Sequence, residues 1–312
     1  YKYFNNEFLL QKNDSSVLPV INGKIAMSTD SFVINPIFFE GGDIGKLAIC
    51  GTINDICMSG AKPLYISAGF IIEEGLPIDD LEKIVQSMSK TANEAGVKIV
   101  TGDTKVVEKG SCDKIYINTT GIGIIEEDKT YLGGDKVKDG DKIIISGTLG
   151  DHGMCIMNKR ENLGFQSNIK SDCCLLNKLI EDILSVSNNV RVLRDPTRGG
   201  LATTLNEIIE HSNISMEIEE DFIPVKPEVA AMCEILGLDP LFIANEGKLV
   251  VIVDEKDADN VLNIMKKNSV GKDSILLGEA ISDGKNKLYL KTNIGGRRII
   301  NMPEGEILVR IC

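Results

Sequence analysis

The sequence lacks several features that would assign it to common classes of protein. It has no Cys-x-x-Cys pair and only two histidines, His152 and His211, so the ligand spacing of a zinc site is absent. No apolar run approaches the ~20 residues that a membrane-spanning helix needs, and no signal peptide is visible. Neither a Walker A motif nor a G-x-G-x-x-G motif occurs. If the protein binds a nucleotide, it therefore does so without the standard glycine loops.

Basic residues are also in short supply. The net charge is −12, from 34 basic and 46 acidic residues. This argues against sequence-independent binding to nucleic acid or to an anionic membrane, both of which need a basic surface. It is compatible with ATP, because a bound Mg²⁺ can reverse the sign of a local site. The eight cysteines show no pairing pattern and predict reduced thiols in a cytoplasm.

The 312 residues are enough for two domains, and helix and strand patterns follow one another in mixed order. This favours an α/β or α+β fold. In the first part we predict strands at 24–34, 64–72, 97–101 and 115–125 and helices at 42–60 and 78–95. In the second part we predict strands at 143–146, 190–193, 214–218, 249–253 and 275–277 and helices at 153–160, 172–186, 199–211, 226–236 and 255–267. The charged link at 135–140 predicts domains at 1–139 and 140–301, followed by a tail at 302–312.

Four aspartates in the first domain suggest a site for a Mg²⁺–triphosphate. Asp30 lies inside a predicted strand, where aspartate is depleted, and Asp43 opens the helix on which Asp55 follows twelve residues later. With this spacing, Asp43 and Asp55 could both face the same side of that helix. Asp103 follows a buried strand in the motif Gly-Asp-Thr-Lys, whose Lys105 can neutralise a phosphate, and Mg²⁺ shares carboxylates with phosphates. Two alternatives stay open, since Asp43 can be a helix N-cap and the motif can be a turn.

Three polar motifs in the second domain also attract interest. Residues 147–153 form a glycine-rich turn before a helix, whose N-terminus favours anions, although Asp151 can equally be a cap. Residues 194–201 place two arginines beside Asp195 at the start of another helix. Glu246, between two apolar strands, is either a general base or an ordinary hairpin-turn carboxylate.

The chain ends on a cysteine, Cys312. A fully extended tail from residue 302 could span roughly 38 Å at ~3.5 Å per residue. Such a tail can carry the terminal thiol into a site elsewhere. The alternatives are a frayed terminus or a last strand that pairs with a sheet edge.

These motifs, in this order, resemble those of the HypE family of hydrogenase maturation proteins, within the AIR synthase (PurM-like) superfamily. The resemblance covers nearly the whole chain and rests on residues 29–33, 38–47, 51–55, 72–75, 102–107, 150–153, 195–200, 245–247 and 310–312. Two departures stand out. Residues 1–20 have no glycine-rich segment of the kind that the family has near its N-terminus, which suggests a missing or trimmed part. Val309 replaces a proline that is common in the family's tail.

The resemblance implies a fold and a reaction. The fold is a PurM-like pair of domains, in which the N-terminal α/β sheet domain joins that of a second subunit in a homodimer, with a C-terminal α+β domain and a flexible tail. A partner carbamoyltransferase, HypF, would place a carboxamide on the sulfur of Cys312. The protein would dehydrate this group to a thiocyanate with ATP, and the cyanide would pass to iron held by HypC–HypD for [NiFe] hydrogenase.

The resemblance also implies roles for residues. Phosphorylation would turn the amide oxygen into a good leaving group, with Mg²⁺ and Lys105 stabilising the transferring phosphoryl group. Glu246 would be the general base and Cys312 the carrier of the substrate. The implied ATP-binding residues are Asp30, Asp43, Lys46, Asn54, Asp55, Asp103, Thr104, Lys105, Asp151, His152 and Asp195. The implied metal ligands are Asp30, Asp43, Asp55 and Asp103.

Two other functions remain to be weighed. The first is a phosphotransferase of the same superfamily that acts on a free small substrate, such as selenide, an aminoimidazole precursor or thiamine phosphate. A selenide-using enzyme would need a reactive cysteine near the N-terminus, whereas the first cysteine here is Cys50 in a predicted helix. The second is a scaffold for metal-centre assembly with Cys312 as a ligand, which would not need the acidic residues and Lys105.

Overall fold

The computed structural model describes residues 2–11, 15–127, 129, 132–161, 169–303, 305 and 311–312. Most of the tail predicted at 302–312 lies outside the described residues. The strands are β1 (Lys24–Phe32), β2 (Phe38–Phe39), β3 (Gly42–Asp43), β4 (Lys62–Glu73), β5 (Lys98–Val107), β6 (Ile115–Ile125), β7 (Lys142–Ile145), β8 (Val190–Arg194), β9 (Ser215–Glu219), β10 (Val250–Val253), β11 (Ile275–Ile281), β12 (Leu288–Lys291) and β13 (Arg297–Ile300). The helices are α1 (Ile44–Met58), α2 (Ile78–Ala95), α3 (Asp151–Arg160), α4 (Asn177–Val186), α5 (Gly200–Ser212), α6 (Pro227–Leu236) and α7 (Glu255–Lys267).

Contacts divide the chain into two units. The first comprises residues 1–131, 173–177 and 310–312, and the second comprises residues 132–172 and 178–309. None of the helices in the described part of the chain combines the length and the hydrophobicity needed to cross a membrane. All eight cysteines are free thiols.

The first unit is built on a four-stranded sheet in the order β1-β6-β4-β5. Only β4 and β5 are parallel, and the other neighbours are antiparallel. Helix α1 packs directly on β6 because that strand has glycines at 121 and 123, where a Cβ atom would collide with Ile56 of the helix. This close approach buries α1 along almost its whole length and covers one face of the sheet.

The second unit contains a seven-stranded sheet in the order β13-β12-β9-β11-β7-β10-β8. Its central strands β7 and β10 read Lys-Ile-Ile-Ile and Val-Val-Ile-Val, and all of their apolar side chains are fully buried. Such continuous apolar runs are typical of strands that are covered on both faces. Helix α5 packs on one face through Leu201, Leu205 and Ile208.

The structure corrects three details of the predicted elements. The Gly-Asp-Thr-Lys motif lies within β5, which continues to Val107, so it is not a turn. The helix predicted at 172–186 begins at Asn177, and the main chain of Cys174 and Leu176 before it is hydrogen-bonded to the side chain of Asn54. Strands β12 and β13 were missed because the polar, glycine-bearing hairpin that joins them obscures the alternation.

Candidate functional site

In the first unit, Asp43 caps helix α1. One carboxylate oxygen accepts hydrogen bonds from the amides of Gly45 at 2.7 Å and Lys46 at 3.1 Å. Burial raises the pKa of the Asp43 carboxyl, and hydrogen bonds from Ser87 and from these amides oppose that shift. The Lys46 ammonium donates to the carbonyl of Gly41 at 2.8 Å. The N-cap alternative for Asp43 is thus confirmed, while ATP binding by Asp43 and Lys46 stays a prediction.

Asp30 and Asp55 lie on the side of the sheet that α1 covers. Asp55 accepts a hydrogen bond from the hydroxyl of Ser28 in β1 at 2.7 Å. Asp30 follows Ser28 by two residues in β1 and therefore points to the same face of the sheet. Asp43 instead contacts Ser87 of α2. Asp43 precedes α1 as its N-cap and contacts α2, whereas Asp55 lies within α1 and contacts β1, so the two carboxylates are bonded to different elements. That both face the same side of α1 stays a prediction.

Asp103 and Lys105 lie on the opposite face of that sheet. Their register places them beside Gly69 and Ile71 of β4, and the Lys105 ammonium lies 2.9 Å from the Asp103 carboxylate. The hydrogen bond from Lys105 holds the pKa of Asp103 below its usual value. Thr104, between them, faces the other side. The pair is well exposed, so both groups are accessible to a ligand.

The four aspartates therefore do not form one cluster within the first unit. Among the residues that the structure describes, no group of three or more His, Cys, Asp and Glu side chains is arranged to hold a metal ion. The division follows from the two faces of the sheet and from the place of Asp43 at the N-cap of α1. Their role as metal ligands stays a prediction.

The end of the chain reaches the region of Asp103 and Lys105. The main-chain oxygen of Cys312 accepts a hydrogen bond from the amide of Val33 at 3.0 Å, and Ile311 is buried. Val33 also lines a cavity of about 370 Å³, together with Ser31, Tyr116, Asn118, Asp103 and Lys105. Cys312 is thus hydrogen-bonded to a residue that lines the same cavity as Lys105. The catalytic roles of Cys312 and Lys105 stay predictions.

Asn54 has a structural task in the same unit. Its side chain is buried on α1, where the amide nitrogen donates to the carbonyl of Cys174 at 3.0 Å. The amide oxygen accepts from the main-chain nitrogen of Leu176 at 2.9 Å. Both ends of the amide therefore bind the segment 173–177, and a role of Asn54 in ATP binding stays a prediction.

We expect Asn54→Ala to destabilise the protein by about 2–4 kcal/mol, because it leaves one buried carbonyl and one buried N–H without their partner. Urea unfolding followed by circular dichroism would measure the loss. The exposed Asn93→Ala on α2 serves as a control and is expected to cost less than about 0.5 kcal/mol. If Asn54→Ala keeps its stability but loses ATP affinity, the side chain serves the nucleotide instead.

In the second unit, the three polar motifs come together at one edge of the sheet. Strands β7 and β8 end there and the antiparallel strand β10 begins there. The side chain of Asn245 joins the three loops, since its oxygen accepts from the amide of Gly150 at 2.8 Å and its nitrogen donates to the carbonyl of Pro196 at 3.1 Å. The loops that carry Asp151, His152, Asp195 and Glu246 are therefore joined at this edge, and a shared role of the four residues stays a prediction.

This site is dense in buried charge. Asp151 is fully buried at the start of α3 and accepts hydrogen bonds from Thr148 at 2.7 Å and from Lys226 at 2.8 Å. A nitrogen of the buried His152 ring lies 2.8 Å from the hydroxyl of Ser171. Glu246 is also buried, which is the environment that tunes a carboxylate for proton transfer. Its position here favours the general-base interpretation over that of a solvent-exposed turn residue.

Sequence reasoning missed three charged residues of this site, Asp172, Lys226 and Lys248. Asp172 accepts hydrogen bonds from the amides of Glu246 and Gly247, and Lys248 lies 3.5 Å from the same carboxylate. Lys248 lies only two residues after Glu246, so its proximity is visible in the sequence. The sequence around Asp172 and Lys226 gives no sign of their place in this site, because their partners are distant in the sequence.

Comparison with known proteins agrees with this picture. The family models for the N-terminal and C-terminal domains of AIR synthase related proteins match residues 12–125 and 138–291, and the α+β architecture predicted from the sequence is confirmed. Carbamoyl dehydratase HypE of Cupriavidus necator is 50% identical over 99% of this chain and 88% of its own length.

Two solved structures are similarly close. The crystal structure of hydrogenase maturation protein HypE in complex with ATP has a TM-score of 0.95 and 47% identity, covering 100% of this chain and 93% of that one. The crystal structure of a HypE–HypF complex has a TM-score of 0.87 and 49% identity, covering 97% of each chain. By its motifs, its two domains and its relatives, the chain belongs to the HypE family of AIR synthase related hydrogenase maturation proteins.

Proposed function

We propose that this protein is an ATP-dependent carbamoyl dehydratase that converts a carboxamide on the sulfur of its own Cys312 into a thiocyanate. The observation that carries the proposal is the binding of the chain's last residue to Val33, at the edge of the cavity that contains Lys105. A substrate carried on Cys312 would thus be presented to a phosphate-binding group. The relatives' names and the ATP complex of one of them support the same reaction.

The reaction balances as follows. The amide oxygen attacks the terminal phosphorus of ATP and ADP departs. The carbon–oxygen bond then breaks, phosphate leaves with that oxygen, and the nitrogen gives up both of its protons as the carbon–nitrogen triple bond forms. Lys105 would stabilise the negative charge on the phosphoryl oxygens, and Glu246 would accept a proton from nitrogen.

Magnesium fits the carboxylates of the first unit as an ion that is shared with phosphates. The described residues offer no cage of three carboxylates, but Mg²⁺ with a nucleotide commonly uses only one or two, with phosphate and water completing its shell. Asp30 and Asp55 on one face of the sheet, or Asp103 on the other, would supply these oxygens, and Asp43, which caps α1 with a single oxygen, is a further candidate. When bound, the ion would neutralise charge on the phosphates.

The test follows the mass of the intact protein. The protein is incubated with carbamoyltransferase HypF, carbamoyl phosphate and either ATP or a non-hydrolysable analogue in a parallel sample. We expect a carbamoyl adduct at Cys312 in both samples. The adduct should lose the mass of one water only in the sample that contains ATP. A free-substrate phosphotransferase or a scaffold would show no such ATP-dependent loss of water.

Partners follow from the same proposal. The complex of a relative with HypF supports a docking step with the carbamoyltransferase, and the thiocyanate would then deliver cyanide to iron held by HypC–HypD. The eight free thiols suit a cytoplasmic location.

We also infer a homodimer, because the sheet face opposite α1 exposes apolar side chains. Ile25 and Met27 of β1 are 64% and 69% exposed, and Ile71 of β4 is 44% exposed. Exposed apolar side chains on one face of a sheet suit an interface with a second copy of the chain.

We expect Met27→Glu to convert the dimer into a monomer, because it buries a charge at that interface. Light scattering after size-exclusion chromatography would measure the mass. The control is Ile78→Glu at the start of α2, where the side chain is similarly exposed, and it should leave the mass unchanged. A wild-type monomer would contradict the inference.

A further inference from the structure

Asp172 is a buried carboxylate that is hydrogen-bonded to the loop that carries Glu246. Its side chain is 3% exposed. One oxygen accepts from the Glu246 amide at 3.2 Å and the other accepts from the Gly247 amide at 3.1 Å. These two amides flank the α-carbon of Glu246. Because the carboxylate is rigid and peptide units are planar, the two bonds together fix the direction in which the Glu246 side chain leaves the backbone.

The loop is fixed from its other side as well. The side chain of Asn245 accepts from Gly150 at 2.8 Å and donates to Pro196 at 3.1 Å and Ile243 at 2.9 Å. These bonds attach the residue before Glu246 to the two neighbouring loops. Asn245 thus anchors the start of the loop, and Asp172 anchors the next two residues, Glu246 and Gly247.

A chain of alternating charges keeps Asp172 in place. The Lys248 ammonium lies 3.5 Å from Asp172 and 4.0 Å from Asp151, and Lys226 lies 2.8 Å from Asp151. A buried carboxylate is retained where such partners compensate for its lost hydration. Both oxygens of Asp172 are engaged by the loop, so the geometry suits orientation of Glu246 and not proton transfer by Asp172 itself.

We propose that Asp172 is a positioning residue that holds Glu246 in the orientation needed to deprotonate the nitrogen of the carbamoylated cysteine. The inference rests on the proposed function, in which Glu246 is the general base. Displacing a catalytic group by about 1 Å can cost on the order of 10²-fold in rate. A residue that orients the base should therefore affect turnover without affecting the binding of ATP.

Asp172→Asn is the informative variant. An asparagine can accept from only one of the two amides, and its NH₂ group would face the other amide or Lys248. We expect the rate of water loss from carbamoylated Cys312 to fall roughly 10- to 100-fold, with unchanged KM for ATP and unchanged carbamoylation by HypF. Asp172→Glu, which restores both oxygens one methylene further out, is expected to recover part of the rate.

The matched control is Asp254→Asn, at the opposite end of β10. Asp254 also accepts from a main-chain amide, that of Lys256 at 3.1 Å, and pairs with a cation, Arg191, at 2.8 Å. It lies outside the candidate site, so its variant should keep the wild-type rate. Thermal unfolding of each variant gives the folded fraction by which the rates are corrected.

The outcomes separate the two hypotheses. If wild-type protein fails to lose water with ATP, the proposed function falls. If wild type reacts and the corrected rate of Asp172→Asn stays within about twofold of it, or if Asp254→Asn slows equally, the positioning role is refuted. Should Asp172→Asn fail to fold, Asp172→Glu carries the test. Its carboxylate is displaced by one methylene, so a rate equal to that of wild type would also refute the positioning role.

Discussion

Cys312→Ala is expected to abolish thiocyanate formation while leaving the affinity for ATP unchanged. The physical reason is that the sulfur of Cys312 carries the substrate, so its removal deletes the substrate and not the catalytic groups. The main-chain oxygen that binds Val33 is retained in the variant, so the end of the chain can keep its place. Intact mass after incubation with HypF, carbamoyl phosphate and ATP measures the product, and equilibrium dialysis measures ATP binding.

Cys174→Ala is the matched control, because Cys174 and Cys312 are the two cysteines that are not fully buried. It removes a thiol of comparable exposure and is expected to leave the product yield unchanged. Product formation by Cys312→Ala, or an adduct on Cys174 in wild type, would show that another residue carries the substrate. Loss of ATP binding in Cys312→Ala would argue against a role confined to carrying it.

Glu246→Gln is expected to lower the rate of dehydration by about 10²–10⁴-fold, the usual contribution of a general base. Glutamine keeps the size of the side chain and the main-chain amide that bonds to Asp172, so the loop should stay in place. Carbamoylation by HypF and ATP binding should continue. The carbamoyl adduct should therefore accumulate on Cys312, which time-resolved intact mass would show directly.

Glu219→Gln provides the comparison for this variant. Glu219 ends β9 and pairs with Lys291 at 2.8 Å, far from the three loops in the sheet order, and its variant should react at the wild-type rate. A rate for Glu246→Gln within tenfold of wild type would mean that another group takes the proton. The positioning role proposed for Asp172 would then fall as well, because it assumes that Glu246 is the base.

The two catalytic predictions differ in what the sequence could say about them. Cys312 stands out by its position at the end of the chain, and the resemblance gave it a role. Glu246 alone was an ambiguous turn residue. It became a stronger candidate when the structure showed that Glu246 is buried and that its amide is bonded to Asp172, because burial is one way in which a carboxylate is tuned for proton transfer.

The sequence by itself determined the family, the α+β class and most elements. Hydrophobic periodicity is local, so α1, α2 and the central strands β7 and β10 were predicted close to their observed bounds. The order of motifs along the chain was likewise sufficient to identify the family, because a motif needs no tertiary contact to be read.

Only the tertiary structure decided which of these residues meet. Strand alternation and the phase of α1 put Asp30 and Asp55 on one face of the first sheet and Asp103 with Lys105 on the other, against the expectation of a single acidic cluster. Asn54, grouped with the nucleotide ligands by its motif, binds the segment 173–177. Asp172 touches the Glu246 loop across more than seventy residues. Such pairings depend on strand order and loop packing, which join residues that no short stretch of sequence contains together.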